Sequence, residues 1–215
     1  DDPAGGFKTL ARTDLVPPFP GTATGGYDVA LGTSLSNATL YRVTSDAVGN
    51  RTWTNTAPDG TTIVSTFSIH GSDVTTAPDG TITNLIKGPD PRWGMQTPLA
   101  KSLSVRLPSS LTSTLTTTRT VTLSQAFNPL SLVTRTDAIT INGRTYTSLF
   151  NNASKTFTNT SPVGRQSTSV VDNLGRILQS QQASLHAVRF SYDSQGRLET
   201  IKQGSGTEER TTLLA

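Results

Sequence analysis

Closely spaced turn signals constrain the fold of this chain more than any other feature. The steps between successive turn-type glycines are 11, 11, 9 and 8 residues in a first series and 21, 11, 21 and 10 in a second, where 21 counts as two steps. Turn signals about every 8 to 12 residues are typical of consecutive short antiparallel strands. The spacing therefore predicts an antiparallel β-meander with turns at Gly49, Gly60, Gly71, Gly80, Gly88, Gly143, Gly164, Gly175, Gly196 and Gly206.

Between these turns, apolar and polar residues alternate in steps of two. The segments 51–56, 119–123 and 155–160 each place Thr at every second position. Successive side chains of a strand point to opposite faces, so this pattern predicts a sheet with one apolar and one wet face. Thr and Ser fill 61 of the 215 positions while hydrophobic residues fill 33%. A β-branched composition with so few apolar residues favours strands and a thin core.

Two sequence features indicate repeated hairpins. Asn142-Gly143 suits a type I′ turn, which joins two strands through two residues of positive φ. The pentapeptide Ala-Pro-Asp-Gly-Thr occurs at 57–61 and again at 77–81, and a 20-residue recurrence corresponds to two strands and two turns. The best helix candidate, 177–185, lies between two turn-and-strand units, which disfavours a helix there.

Irregular stretches suggest a division of the chain. Residues 1–26 lack periodicity and are expected to form an extended N-terminal segment. Residues 27–86 form a first β-repeat segment, 87–98 a Pro-rich crossing, and 99–215 a second β-repeat segment that is continuous with the first in one domain. Three prolines at 87–98 cannot donate to a strand ladder, which is why a crossing is expected there.

The C-terminal half contains a recognisable string. Tyr192-Asp-Ser-Gln-Gly-Arg-Leu198 follows Val171-Asp-Asn-Leu-Gly-Arg-Ile177 by 21 residues, and Ser45-Asp-Ala-Val-Gly-Asn-Arg51 is a degenerate copy. This string resembles the YD repeat of RHS-type proteins, whose core reads Tyr-Asp-x-x-Gly-Arg-Leu. The resemblance covers residues 40–213 and is closest after residue 135. Each part also has a structural explanation, because Asp caps its turn and Gly takes a backbone angle that other residues resist.

The resemblance implies a fold, a location and a role. Members of this family are long secreted or cell-surface proteins whose repeats wind one sheet into a spiral shell, which encloses a toxin domain in bacteria or acts in adhesion in animals. About ten to fifteen strands fit into this chain at such spacing, which is too few for a complete shell. We therefore expect a curved or spiralling wall segment, non-catalytic and extracellular or at the cell surface. A start at Asp1 without a leader predicts a processed or excised piece.

Composition argues against several other classes of protein. The net charge of +3 is spread as single Arg and Lys residues, so a nucleic-acid partner is not expected. No apolar run reaches the about 18 residues that a membrane helix needs. The chain has no Cys and two His, so no metal or other cofactor is expected. Neither His70 nor His186 lies near a nucleophile motif, and no Gly-x-Ser-x-Gly occurs, so we expect no enzyme activity.

Glycan binding is the alternative function. Sugar rings stack on exposed aromatic side chains of a flat β-face while neighbouring polar groups bond their hydroxyls. The candidate residues are Trp93, Trp53 and Tyr41, with Tyr146 as a further platform. Trp53 lies between threonines, which favours packing of its ring. Trp93 lies near Pro91 and beside Gly94, and this position is compatible with either packing or binding.

Self-association is a further expectation. Strands at the edge of a sheet leave N–H and C=O groups unpaired, and another copy or a neighbouring repeat segment pairs with them. The candidate edges are 114–123 and 211–215.

Overall fold

The computed structural model describes residues 6–15 and 25–214, and these residues are almost entirely β-structure. The described part contains seventeen strands and one 3-10 helix, Gly206–Glu208. The strands are β1 Lys8–Leu15, β2 Gly25–Thr33, β3 Ala38–Ser45, β4 Arg51–Thr56, β5 Thr62–Phe67, β6 Ser72–Thr76, β7 Ile82–Asp90, β8 Gly94–Arg106, β9 Thr112–Leu123, β10 Leu132–Ile141, β11 Arg144–Asn151, β12 Thr156–Thr160, β13 Gln166–Val171, β14 Ile177–Gln182, β15 Val188–Tyr192, β16 Leu198–Gln203 and β17 Arg210–Leu213. The predicted all-β fold is confirmed, with more strands than the spacing suggested.

The described residues divide into two compact units. Unit 1 runs up to Gly88 and includes Ala100–Leu115, and unit 2 contains Pro89–Leu99 and the residues from Thr116 onward. Strands β1 to β6 lie in unit 1 and β10 to β17 in unit 2, while β7, β8 and β9 contribute residues to both. The stretch 87–98 contains the end of β7 and the start of β8. The division of the chain inferred from its sequence stays a prediction.

In unit 1, each strand from β1 to β6 pairs antiparallel with the next strand along the chain. Val43 lies opposite Trp53, and the adjacent pair Arg42 and Thr54 lies on the other face. Neighbour-to-neighbour pairing keeps alternate residues on one face across all these strands. One face, the aromatic face of unit 1, has Tyr27, Tyr41, Trp53 and Phe67, and the other has Thr44, Thr52, Thr54, Thr62, Thr66 and Thr76.

Unit 2 repeats this pattern from β10 to β17. Phe150 lies opposite Phe157, and their rings are 4.6 Å apart between centroids. The threonines of β12 lie on the opposite face from Phe157. The register shifts between Val170 and Val171 and between Ser191 and Tyr192. At each shift the extra residue lies on the strand that leaves a YD-like string, Leu178 in β14 and Glu199 in β16, so a bulge follows the turn.

Nine loops of the described chain share one pair of backbone hydrogen bonds. In each, the N–H of the first residue donates to the C=O of the fifth, and the N–H of the fourth donates to the C=O of the first. This five-residue turn is a type I turn followed by a left-handed residue that forms a bulge. The residues at the left-handed fourth position are Ser36, Gly49, Gly60, Gly71, Gly80, Ser110, Gly164, Gly175 and Gly196.

The other local predictions have mixed outcomes. Asn142 and Gly143 have φ values of 47° and 80°, and Ile141 pairs with Arg144, so the two-residue hairpin is confirmed. The predicted turn at Gly88 is wrong, because Gly88 lies within β7, where a Cβ would lie 3.3 Å from Lys101 Cδ. A glycine in a strand often marks such close packing.

The outcome for three further segments is as follows. Within 1–26, the residues Lys8–Leu15 form β1, and 1–5 and 16–24 lie outside the described residues. The segment 177–185 contains strand β14 and no helix, in agreement with its position between two turn-and-strand units. Strand β9 has both β8 and β10 as neighbours, so the predicted edge at 114–123 is not an edge.

The described part has no buried apolar side chain. Its one buried polar residue is Asp90, which is 4% exposed. The described fold is therefore stabilised by the hydrogen bonds of its strands and turns and by contacts between half-buried side chains. One close approach requires glycine, because a Cβ on Gly26 would overlap the carbonyl oxygen of Val43.

Candidate functional site

The YD-like turn at 172–176 is held by a single carboxylate. Asp172 Oδ1 accepts from the backbone N–H groups of Leu174, at 2.8 Å, and Arg176, at 2.9 Å. Asp172 Oδ2 accepts from Arg176 Nε at 2.7 Å. Partial burial raises the pKa of this carboxyl, but the hydrogen bonds from Arg176 and Leu174 outweigh it and lower the pKa. The motif's Asp and Arg are thus both used within their own turn.

The next copy has the same geometry. Asp193 accepts from the N–H groups of Gln195 and Arg197, at 2.9 and 2.8 Å, and its other oxygen accepts from Arg197 Nε at 2.8 Å. The side-chain hydrogen bond from Arg197, followed by the backbone hydrogen bonds, lowers the pKa of Asp193.

The degenerate copy near residue 46 keeps this design with a different fifth residue. Asp46 Oδ1 accepts from three backbone N–H groups, those of Val48, Gly49 and Asn50, at 2.9 to 3.0 Å. Asn50 Nδ2 donates to the other oxygen at 2.7 Å, in the place of the arginine. The amide oxygen of Asn50 accepts from the N–H of Ile69 at 3.1 Å, so this residue also links two turns.

The two C-terminal copies are joined to each other. The guanidinium of Arg176 lies over the ring of Tyr192, 4.6 Å from its centroid. The hydroxyl of Tyr192 donates to the carbonyl oxygen of Ile177 at 2.9 Å. A Cβ on Gly196 would lie 3.1 Å from Arg176 Nη1, so this glycine lets the arginine lie close to the next turn. The Tyr of one repeat therefore closes onto the Arg of the repeat before it.

This link between successive copies is a property of a repeat family, and comparison with family models identifies which one. The model of the teneurin YD-shell matches residues 28–211. The chain belongs to the teneurin YD-shell family. The resemblance to RHS/YD-repeat proteins is thereby confirmed. The YD-shell is a structural shell domain, its family is not known for catalysis, and its members are typically extracellular or at the cell surface.

Two other comparisons add little to the YD-shell assignment. Among curated proteins, none matches the chain in sequence. Among solved structures, the chain is similar to a porin-like protein from Bacteroides uniformis ATCC 8492, with 11% identity and a TM-score of 0.36 over 95% of this chain and 92% of the other. That score is too low to carry an argument about function.

Two of the three predicted glycan-binding residues lie close together on this YD-shell. Trp53 and Tyr41 are on the aromatic face of unit 1, on the adjacent strands β4 and β3. The ring of Trp53 lies 4.8 Å from that of Phe67 between centroids, at an angle of 57°. Trp53 is still 45% exposed and Tyr41 39% exposed. The Trp53 ring therefore packs on one side and faces solvent on the other.

The third predicted residue, Trp93, belongs to unit 2. It lies in the turn between β7 and β8, where its N–H donates to Asp90 Oδ1 at 3.2 Å. The guanidinium of Arg92 lies 5.6 Å from the centroid of its ring. The ring of Trp93 therefore belongs to a turn residue, and the guanidinium of Arg92 covers part of it.

A charge network in unit 2 was not expected from the sequence. Arg119 Nη1 donates to Asp90 Oδ2 at 2.9 Å, and Arg119 Nε donates to Asp137 Oδ1. Arg135 Nε lies 3.0 Å from Asp137 Oδ2. The hydrogen bond that Arg119 donates to Asp137 raises the pKa of Arg119, and together with the hydrogen bond to Asp90 it outweighs the opposing effect of burial. Burial raises the pKa of Asp90, but the hydrogen bonds from Arg92 N–H and Arg119 outweigh it and lower the pKa.

Each histidine lies in an exposed loop between two strands. His70 lies in the turn after β5, where its N–H donates to Ser68 Oγ at 3.1 Å, and His186 lies between β14 and β15. Both are exposed. Over the described ranges there is no cluster of three or more His, Asp or Glu side chains suited to a metal. The same ranges contain no helix that is long and apolar enough to cross a bilayer.

Proposed function

We propose that the chain is a non-catalytic wall segment of a secreted or cell-surface YD-repeat protein. The observation that carries the proposal is the use of the motif's reactive groups. The carboxylates of Asp172 and Asp193, the guanidinium of Arg176 and the hydroxyl of Tyr192 are all bonded within the repeat. Groups that hold a turn and link it to the next are unavailable to a substrate, and they suit a scaffold.

Limited proteolysis with trypsin tests this structural role. Arg197 is held by Asp193, so we expect slow cleavage after Arg197 in the native chain and faster cleavage in Asp193→Ala. Glu208→Ala is the matched control, because it removes one carboxylate that has no hydrogen-bond or ion-pair partner among the described residues. Equal cleavage rates in all three proteins would contradict a role for the motif in holding the wall together.

Contact with neighbouring repeat segments or with other copies is part of the same proposal. All four residues of β17 are exposed. Large apolar side chains are also exposed, such as Leu185 at 67% and Leu213 at 75%. Size-exclusion chromatography with light scattering is expected to show particles that grow with concentration. A strict monomer at high concentration would restrict these contacts to repeats of one polypeptide.

Carbohydrate binding is the second candidate function. Its support is the placement of Trp53 and Tyr41 on neighbouring strands of one face, with a further aromatic at Trp93 in unit 2. Affinity gels that contain glycans test it with Trp53→Ala and Trp93→Ala, and circular dichroism checks the fold. Loss of retardation in either variant supports the candidate, and unchanged retardation in both contradicts it.

A further inference from the structure

Two neighbouring hollows on unit 2 share part of their lining. Their volumes are about 400 and 710 Å³, and both are lined by Tyr146, Ser161 and Arg165. Tyr146 is 46% exposed and pairs across β10 and β11 with Ile139, which lines the smaller hollow. We call the two hollows together the Tyr146 groove. It combines an aromatic platform with room for a ligand of several rings.

A row of neutral polar side chains crosses the smaller hollow. Strand register places Ser148 opposite Asn159, Asn159 opposite Ser167, and Ser167 opposite Gln182, on the same face as Tyr146. None of these four side chains hydrogen-bonds to another residue of the described chain. Neighbouring strands are about 4.8 Å apart, so the row offers hydroxyl and amide groups at the spacing of successive strands. That series suits the hydroxyls of an extended sugar chain.

The charge of the groove is positive. Arg144 and Arg165 line the larger hollow, both are exposed, and neither guanidinium has a partner among the described residues. The acidic residue in the combined lining is Asp137, whose carboxylate is bound by Arg119 and faces Arg135. Two free arginines beside a neutralised carboxylate favour a ligand with a carboxylate or sulfate group.

We propose that the Tyr146 groove binds an acidic oligosaccharide. One sugar ring stacks on Tyr146, the hydroxyls of the chain bond to the row from Ser148 to Gln182, and the acidic group pairs with Arg144 and Arg165. This site is separate from the wall role and from the aromatic face of unit 1, so its failure would leave both of those proposals standing.

The same observations disfavour other extended ligands. A nucleic acid needs many phosphate contacts, and the groove supplies two cations. An extended peptide gains most of its affinity by pairing with a strand edge, whereas both β11 and β12 in the groove are paired on both sides. The groove lies on a sheet face, where side chains alone make the contacts.

Isothermal titration calorimetry on the whole chain tests the proposal with three polymers. Polygalacturonate carries carboxylates, dextran sulfate carries sulfates, and dextran is neutral. We expect binding to at least one acidic polymer and much weaker binding to dextran, and the stronger of the two acidic polymers identifies the anionic group. Equal affinity for dextran, or no binding to either acidic polymer, would overturn the proposal.

Variants locate the site. Arg144→Ala and Arg165→Ala are each expected to weaken binding about tenfold, the effect of losing one charge-assisted hydrogen bond. Tyr146→Ala is expected to weaken it too, with Tyr146→Phe close to the native chain because the ring is kept. Arg106→Ala is the matched control, since Arg106 is an exposed arginine of unit 1 with no described partner. Equal loss in Arg106→Ala, or full binding by the Arg144→Ala/Arg165→Ala double variant, would show that the groove is not the site.

Discussion

Two serines occupy backbone positions that seven glycines occupy elsewhere. Ser36 and Ser110 have φ values of 62° and 68° at the fourth position of the five-residue turn. A left-handed conformation costs a residue with a Cβ about 1 to 2 kcal/mol, and glycine avoids this cost. These two turns are therefore strained relative to the other seven in the described chain.

Substitution at Ser110 tests this strain. We expect Ser110→Gly to raise the free energy of unfolding by about 1 kcal/mol at most. The relief of backbone strain stabilises the fold, and the conformational entropy that glycine adds to the unfolded chain offsets part of this gain. The matched reverse change, Gly60→Ser, is expected to lower it by a similar amount, because a Cβ on Gly60 meets open space and adds only backbone strain. Urea unfolding measures both. A destabilising Ser110→Gly would show that the serine side chain stabilises its turn.

Turn carboxylates make stability sensitive to acid. The pKa of Asp193 is lowered in the fold, chiefly by the side-chain hydrogen bond from Arg197. The ionised carboxylate of Asp193 therefore stabilises the fold fully above its unfolded-state pKa of about 3.9. This stabilisation is lost as the pH falls through the lower folded-state pKa of the same group. We expect the free energy of unfolding to fall below about pH 4 and to fall less steeply in Asp193→Asn. Identical acid profiles would contradict this.

At the scale of elements, the link between repeats is a contact of one arginine with one ring. A double-mutant cycle on Arg176→Ala and Tyr192→Ala measures it by urea unfolding. We expect a coupling of about 0.5 to 1 kcal/mol, the range for a cation over an exposed aromatic face. Tyr192→Phe separates the hydroxyl, since it removes only the hydrogen bond to Ile177. A coupling near zero would mean that the two turns fold independently of this contact.

The buried carboxylate of Asp90 in unit 2 is stabilised by an ion pair. Arg119 is its ion-pair partner, with side-chain exposures of 23% for Arg119 and 2% for Asp90. Arg119→Ala leaves a buried charge unpaired, so we expect a loss of about 3 kcal/mol in the free energy of unfolding. The exposed control Arg106→Ala is expected to change stability by about 0.5 kcal/mol or less. Similar losses in both variants would show that Asp90 does not depend on Arg119.

The elements that sequence reasoning found are those whose signal is local. Asn142-Gly143 and the Asp-Gly turns carry their conformation in two adjacent residues. The turns at Ser36 and Ser110 lack the glycine signal and were missed, and Gly88 has it without a turn because close packing within β7 requires the glycine instead. The network of Arg119 joins partners 29 and 18 residues away, and no local pattern indicates such pairing. The Tyr146 groove likewise depends on register across five strands.

At the scale of the whole molecule, the thin core has a thermodynamic consequence. Unfolding exposes little fully buried apolar surface, because the described residues include no buried apolar side chain. The heat-capacity change of unfolding scales with apolar exposure and amounts to about 3 kcal/mol/K for an ordinary domain of this length. We expect calorimetry to give a clearly smaller value, with a broad transition. A value at or above that figure would mean that the chain buries apolar surface by associating.

The five-residue turn has an implication for how such a chain changes length. The hydrogen bonds of each five-residue turn are made within that turn, between two strands that are adjacent in sequence. A block of two strands therefore contains its own strand pairing and its own turns. Copying or losing a block of about twenty residues keeps every side chain on its original face, since stacked units contact only their neighbours. A molecule made in this way can grow or shrink by gene duplication and deletion without inventing a new fold.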